Sequence, residues 1–450
     1  MSARHLYALA QLFLCLGCTP TAIPQPENLL LITLDTVRAD YLGIYGATVG
    51  ESPHIDALGR GGLHFAKAYT TAPLTGPAHA SILTGRYPSE HGVLYNGMRL
   101  EKPMIYNAES TTLSTHLSAQ GFSTGAIVTA IPLVKRHGFD QGFDTHQMVH
   151  TSNTDIELEY GGSSTDALAA AREWIEARGD ERFFLWVHLY EAHVPFFSPP
   201  EIHARLGSTP GRLGTEDMFT APRSAFRAAY RAEILEVDDA VGGFVAMLDD
   251  LKLRDSTVVG VVADHGEYLG ENSQHGPLWG HHLVREEVMR IPMMVSGPGI
   301  SAEIHTGVVS SVDLAPTLLD LMALPPLPGA TGRSLAQVDR DSSVPIFGEY
   351  RHMRLHNVGN PAQSRDHLLA VWDGADKMVR SILNFEDRAF TVSPDQGKEE
   401  LWDAAIPQST THLVQHLNGF PVLQTPESSN PLPRDGPTGM QMLKTLGYID

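Results

Sequence analysis

Asn28-Leu-Leu-Leu-Ile-Thr-Leu-Asp35-Thr-Val-Arg38-Ala-Asp40 is an apolar run of strand length that ends in a carboxylate. Far along the chain, Ser256-Thr-Val-Val-Gly-Val-Val-Ala-Asp264-His265-Gly-Glu267 repeats the pattern and ends in Asp-His-Gly. In open α/β sheets, reactive groups gather outside the carboxyl ends of the strands. Two such strands would deliver Asp35, Asp264 and His265 to one edge, a carboxylate and imidazole set suited to a divalent cation.

Outward from these two segments, short apolar runs alternate with helical stretches, which predicts a layered α/β fold. Strands are expected at Leu29–Leu34, Ser123–Thr129, Arg182–Leu189, Thr257–Ala263 and Pro292–Ser296. Helical spacing marks Thr165–Arg178, Asp313–Met322 and Arg223–Leu253, the last either one long amphipathic helix or a bent pair. Pro325-Pro-Leu-Pro-Gly329 is a break, and beyond about Val344 the texture changes. There Ile346–Tyr350, His367–Trp372 and Lys377–Leu383 predict a small antiparallel sheet, and Asn418–Gly439, rich in Pro and polar residues, predicts a mobile loop.

At 450 residues the chain can bury one large core or two modest ones. A hydrophobic content of 42% with 19% charged residues is ordinary for a globular protein, and a net charge of −20 argues against nucleic-acid partners. Arg4 and His5 precede an apolar stretch, Leu6 to Cys18, that is too short to span a membrane and reads as a targeting signal. Residues 1–18 are therefore expected to be a signal peptide and residues 19–27 a tether, with the protein exported to the periplasm or cell envelope. Leu16-Gly17-Cys18 resembles a bacterial lipoprotein processing site, although Cys15 departs from that pattern; lipid on Cys18 and plain signal cleavage both stand. That lipid is the only membrane attachment expected. Both cysteines, Cys15 and Cys18, fall in the signal, so the mature protein can form no structural disulfide.

Thr75-Gly-Pro-Ala-His79-Ala-Ser-Ile-Leu-Thr-Gly85-Arg86 reads as a loop turning into a short helix. This sets a hydroxyl at the first helical turn, where free backbone N–H groups and the helix dipole favour an anion. Thr75 is then either a helix cap or, beside a metal, a nucleophile.

Taken in order, several short motifs carry a resemblance. They are Leu34-Asp35 through Leu42-Gly43, Ser52-Pro-His-Ile-Asp56, Thr75-Gly-Pro-Ala-His79, Thr84-Gly85 through His91-Gly92, Val187-His188 through Val194-Pro195, Ala263-Asp264-His265-Gly266-Glu267, Arg290-Ile-Pro292 and Val312-Asp313 through Thr317. Together they resemble a sulfatase-type member of the alkaline phosphatase superfamily. The resemblance implies a catalytic domain over residues 28–345 with a large, mostly parallel central sheet flanked by helices. It also implies a smaller C-terminal subdomain over residues 346–450 holding the antiparallel sheet. One divalent ion (Ca²⁺, Mn²⁺ or Zn²⁺) would be held by Asp35, Thr75, Asp264 and His265, and catalytic roles would fall to Thr75, His193, His281 and His79.

The departures from the family matter as much. Family sulfatases convert a Cys or Ser at the nucleophile position to a formylglycine. Thr75 cannot give that aldehyde, so catalysis would use the hydroxyl itself. The superfamily often has a second carboxylate after Asp35, where this chain has Thr36, which weakens a calcium site relative to Mn²⁺ or Zn²⁺. His79 stands where an Arg is usual and His281 where a Lys is usual, and a further Lys has no counterpart. Such a pocket would stabilise a doubly charged transition state less well than that of a singly charged diester, and imidazoles near their ordinary pKa of ~6.5 would titrate toward pH 6.

His188 reads as a satisfied core histidine, Asp313 as a family site residue or a helix cap, and Arg38 as a residue that either supports Asp35 or does not. The leading expectation is a hydrolase of phospho- or sulfo-esters, phosphodiesters or phosphonate esters favoured, acting on small-molecule, glycan or lipid-linked substrates. The alternatives are a sulfatase working without formylglycine, a cell-envelope transferase, and an inactive binding protein on the same scaffold.

Overall fold

Every residue of β1 (Asn28–Leu34) is buried, and this strand lies near the middle of the larger sheet. The computed structural model describes residues 26–47, 52–96, 110–149, 162–209, 211–214, 217, 221–271, 279–281, 284–337, 339–351, 368–381, 387–392, 399–401 and 411–420. The segment expected to be a signal, with both cysteines, lies outside the described residues, and so does nearly all of the Asn418–Gly439 stretch. Of that stretch, Asn418 and Gly419 close a helix, Thr411–Gly419, instead of opening a loop.

The larger sheet continues with β2 (Leu63–Tyr69), β3 (Ser123–Val128), β4 (Thr145–Met148), β5 (Phe183–Leu189) and β6 (Thr257–Ala263). A two-stranded hairpin, β7 (Tyr268–Leu269) with β8 (Trp279–Gly280), stands apart from it. The sheet is completed by β9 (Arg290–Ile291), β10 (Met293–Ser296) and β11 (Glu303–Ser310), in the order β11-β2-β10-β6-β1-β5-β3-β4, with β9 against β2. β1 runs parallel to both β5 and β6, and all three are buried along their whole length. A strand covered on both faces needs no polar alternation, which is why these segments read as unbroken apolar runs. β2, β4 and β11 escape that signal because they carry His64, Lys67, His146 and Glu303 among their apolar residues. β10 is antiparallel to both neighbours, so the sheet is mostly but not wholly parallel.

Arg223–Asp250 is a single helix of 28 residues, not a bent pair. Its Val241, Phe244 and Leu248 share one apolar core with Leu31, Val187 and Val261 of the sheet. Beyond it, β12 (Ile346–Tyr350), β13 (Leu368–Asp373), β14 (Asp376–Ser381), β15 (Asp387–Val392) and β16 (Glu399–Leu401) form the expected antiparallel sheet. Its Tyr350 and Trp372 are buried in one cluster with Leu74, Val284 and Met289. Burying side chains of this size contributes about 1.5–3 kcal/mol each, and here it presses the small sheet against the residues next to Thr75 and His281.

Candidate active site

Register decides what meets at the sheet edge. Leu34 pairs with Leu189 on one side and Ala263 on the other, and the ladder runs one step further. Asp35 donates its N–H to the Leu189 carbonyl, and Asp264 donates its own to that of Leu34. Both carboxylates therefore emerge together, fully buried. Oδ1 of Asp264 accepts from the backbone N–H of Thr36 (3.1 Å) and of His265 (2.6 Å). Thr36 holds a left-handed backbone, φ 54°, that a β-branched residue rarely adopts. Tyr230 of the long helix pins this turn: its hydroxyl donates to the Thr36 carbonyl and accepts from the Arg38 N–H.

Two imidazoles close on these carboxylates. His265 Nε2 lies 3.5 Å from Asp264 Oδ2, and its Nδ1 contacts the Gly266 carbonyl at 3.0 Å, which leaves the lone pair on Nε2. His188 Nε2 lies 3.2 Å from Asp35 Oδ2. Its Nδ1 meets Thr129 Oγ1 at 3.0 Å, while that hydroxyl donates to the His188 carbonyl. The reading of His188 as a satisfied core histidine is thus corrected, since half of its ring faces the carboxylates. Thr33 pairs with His188 across β1 and β5; a histidine one step from the end of a strand beside Asp35 was the available signal.

Asp35 Oδ1 and Oδ2, Asp264 Oδ2, His188 Nε2 and His265 Nε2 are all buried without a hydrogen-bond partner. Asp35, Asp264 and His265 place their ligand atoms within 4.8 Å of one another, and so do His79, His188 and Asp264. Burial raises the pKa of both carboxylates; the neighbouring histidines pull them back, and Asp35 pushes Asp264 further up. Burial lowers His265, but Asp264 and Asp35 outweigh it and raise its pKa. Orphaned lone pairs from oxygen and nitrogen, pointing at each other in a dry site, are what a divalent cation satisfies, so the donor set fits one. Two imidazoles shift that fit toward Zn²⁺ or Mn²⁺ and away from Ca²⁺.

Thr75 opens the helix Thr75–Thr84, as the sequence predicts. The expectation of free backbone donors there is corrected for the residues after Thr75, however. Gly76 donates its N–H to Asn96 Oδ1 at 2.7 Å, Pro77 has none, and Ala78 is bonded to the Leu74 carbonyl. What remains is the N–H of Thr75 itself, the dipole and the hydroxyl. His79, one turn on, is fully buried. Its Nδ1 meets the Thr75 carbonyl at 2.8 Å and its Nε2 meets Thr33 Oγ1 at 3.0 Å, and Trp186 Nε1 donates to the same hydroxyl. With Nδ1 3.6 Å from Asp264 Oδ2, His79 packs the helix that Thr75 opens against the carboxylates instead of lining an open pocket. Burial pushes it down to about 4, against the pull of Asp264, and pushes His281 well below its ordinary value, with His265 and His193 adding to the effect. Both imidazoles are thereby held toward their neutral forms, against the expectation that they titrate toward pH 6.

His193 is partly exposed, with Nδ1 contacting the Tyr190 hydroxyl and the Val194 carbonyl. Its ring centroid is 5.4 Å from that of His281, which is in turn 4.5 Å from that of His265. Glu267, to which the sequence reading gave no role, lies 3.2 Å from His281. Arg38 does not support Asp35. Its guanidinium forks onto Asp40 and reaches Glu271 and the Glu267 carbonyl. Asp313 is a cap, accepting from the N–H groups of Ser310 and Arg333.

Residues 27–324 match the family model described as Sulfatase. The chain is 26% identical over 368 residues to the "Ulvan-active sulfatase" of Formosa agariphila, covering 73% of this chain and 70% of that protein. It is 25% identical over 493 residues to the "Multifunctional alkaline phosphatase superfamily protein PehA" of Trinickia caryophylli, covering 88% and 92% respectively. The crystal structure of the phosphonate monoester hydrolase of Agrobacterium radiobacter superposes with a TM-score of 0.67 at 18% identity, over 88% of this chain and 95% of that one. That likeness is one of fold.

Proposed function

This chain belongs to the sulfatase family of ester-hydrolysing enzymes, and from that premise we propose that it is a metal-dependent hydrolase with Thr75 as its nucleophile, preferring phosphodiesters or phosphonate monoesters. The observation that carries the reading is the set of orphaned donor atoms on Asp35, Asp264, His188 and His265, tied through His79 to the helix that Thr75 begins. A divalent ion bound there lowers the pKa of a nearby hydroxyl and neutralises charge that develops on the ester oxygens. Thr75 Oγ attacks phosphorus in line. The new O–P bond forms as the bond to the leaving oxygen breaks, and the hydroxyl proton ends on the released alcohol. Water then cleaves the Thr75 ester, restoring the hydroxyl and releasing the acid. His193 and His281 are the rings placed to meet the substrate's oxygens.

Charge supports the substrate preference. The imidazoles in the usual cation positions are neutral, so a doubly charged phosphate monoester finds no fixed positive partner there, whereas a singly charged ester needs none. A sulfate ester also carries a single charge. It is set aside because threonine cannot supply the formylglycine on which sulfatases of this family rely. Export, with lipid on Cys18, completes the reading and puts glycan- or lipid-linked esters within reach.

The test is Thr75→Ala assayed on matched diester, phosphonate, monoester and sulfate substrates. The expected result is a diester or phosphonate preference in the wild type and a loss of roughly 10³-fold or more in the variant, with metal content unchanged. An alanine variant as active as the wild type removes Thr75 from the chemistry and leaves it only as the first residue of its helix. A preference for sulfate esters makes the enzyme a sulfatase that works without formylglycine.

A further inference from the structure

We propose that Glu267 is a positioning residue that acts through His281, fixing which nitrogen of that ring faces the ester. The hairpin of β7 and β8 carries the argument. Leu269 pairs with Trp279 and Tyr268 with Gly280, so the next positions outward, Glu267 and His281, face each other across the same ladder. Glu267 Oε2 lies 3.2 Å from His281 Nδ1, and both side chains are almost wholly buried.

The backbone that carries this carboxylate is held from behind, while its second oxygen, Oε1, is buried without a hydrogen-bond partner. Arg38 Nη1 donates to the Glu267 carbonyl at 3.1 Å and to Glu271 Oε1 at 2.6 Å, and Glu271 Oε2 accepts from the Leu269 N–H at 2.9 Å. Arg38 follows closely on Asp35 in sequence, so the segment that leaves β1 both carries the first carboxylate and anchors the hairpin. On its other side the His281 ring lies against that of His265, with centroids 4.5 Å apart.

An imidazole has two chemically distinct nitrogens, and a fixed partner on one decides what the other presents. A lysine at this position would need no such partner, because its three donors are equivalent. The exchange of the usual lysine for His281 therefore creates a need for orientation, and Glu267 meets it. Glu267 forms and breaks no bond in the reaction.

This inference rests on the reading of His281 as a group that meets the ester, so the experiment pairs the two residues. Wild type, Glu267→Gln, Glu267→Ala and His281→Ala are loaded with metal and assayed on two phosphonate monoesters that differ only in leaving group, p-nitrophenol against a simple alkyl alcohol. Metal content is measured for each variant. For Glu267→Ala we expect kcat/KM to fall about 10–100-fold on the alkyl ester and within about 3-fold on the nitrophenyl ester, with metal content unchanged. Glu267→Gln should recover part of the loss, because its amide N–H can donate to Nδ1 and keep Nε2–H toward the leaving oxygen. Equal losses on both substrates, no loss in either variant, or loss of bound metal would each overturn the proposal. If His281→Ala shows no leaving-group dependence, the role of His281 fails and the proposal with it; a dependence in His281→Ala without one in the Glu267 variants fails Glu267 alone.

Discussion

Lys377 in the small sheet and Asp35 at the edge of the large one are both fully buried charged side chains, and their surroundings are opposites. Lys377 Nζ donates to the Val284 carbonyl at 2.5 Å and lies 3.2 Å from Glu286 Oε1. The same carboxylate oxygen accepts from Trp372 Nε1 at 2.7 Å, and the ammonium sits 4.7 Å from the centre of the tryptophan ring. Asp35 has no hydrogen bond to either oxygen, and the like charge of Asp264 stands beside it. Both clusters are buried, yet one is closed on itself and the other is open. A closed pair fastens the small sheet to the segment that follows His281. An open pair of carboxylates costs several kcal/mol per ion if nothing answers it, and a fold keeps such a cost where a bound ion offsets it.

The sharpest way to break this contrast is Asp264→Ala. We expect stoichiometric metal, read by elemental analysis, to disappear and kcat/KM to fall by about 10⁴-fold. In Asp264→Asn, which keeps Oδ1 as acceptor for the Thr36 and His265 N–H groups, the metal-free protein should melt no lower than the metal-free wild type, since a buried like charge has gone. A variant that binds metal as tightly as the parent would make the two clusters alike.

Lys377→Met tests the closed side. Removing one partner leaves Glu286 buried against Trp372, and we expect a loss of about 3–5 kcal/mol in denaturant unfolding. The double variant Lys377→Met/Glu286→Gln should regain part of it. Metal content per folded molecule should not change; if it falls, the small sheet does more than hold the site's surroundings in place.

The smallest effect is expected at Glu349, which lies between the two regions. Its Oε1 accepts from the Ser89 N–H at 3.1 Å, and Arg351 is 3.8 Å from the other oxygen. Burial raises its pKa to about 7, against the pull of Arg351. A carboxyl whose folded pKa is raised favours the folded state while protonated, and that contribution is lost as pH climbs from about 4.5 toward about 7. Glu349→Gln should therefore show a shallower loss of stability over that window than the wild type, in melts taken at intervals of pH. Identical slopes would mean that the carboxylate is as well solvated folded as unfolded.

Much of this was legible from local pattern. An unbroken apolar run marks a strand covered on both faces, and β1, β5 and β6 lie where those runs predict. β2, β4 and β11 were not foreseen, because their mixture of charged and apolar residues makes sense only once their neighbours in the sheet are known. The helix at Thr75 was legible too, but the occupation of the Gly76 N–H by Asn96 was not. That contact joins residues 20 apart through a turn that no periodicity announces.

By itself, then, the sequence determined the α/β class, the two strand ends that carry Asp35, Asp264 and His265, and the hydroxyl that opens the helix at Thr75. These are properties of short segments, set by period, length and residue type. Only the tertiary structure decided what each histidine does. His188 faces the carboxylates because Thr33 lies across from it, His79 is spent on Thr75 and Thr33, and His281 is turned by Glu267 across a hairpin. An imidazole's role depends on which of its two nitrogens is already engaged, and in this protein the groups opposite the rings of His188 and His281 come from other strands.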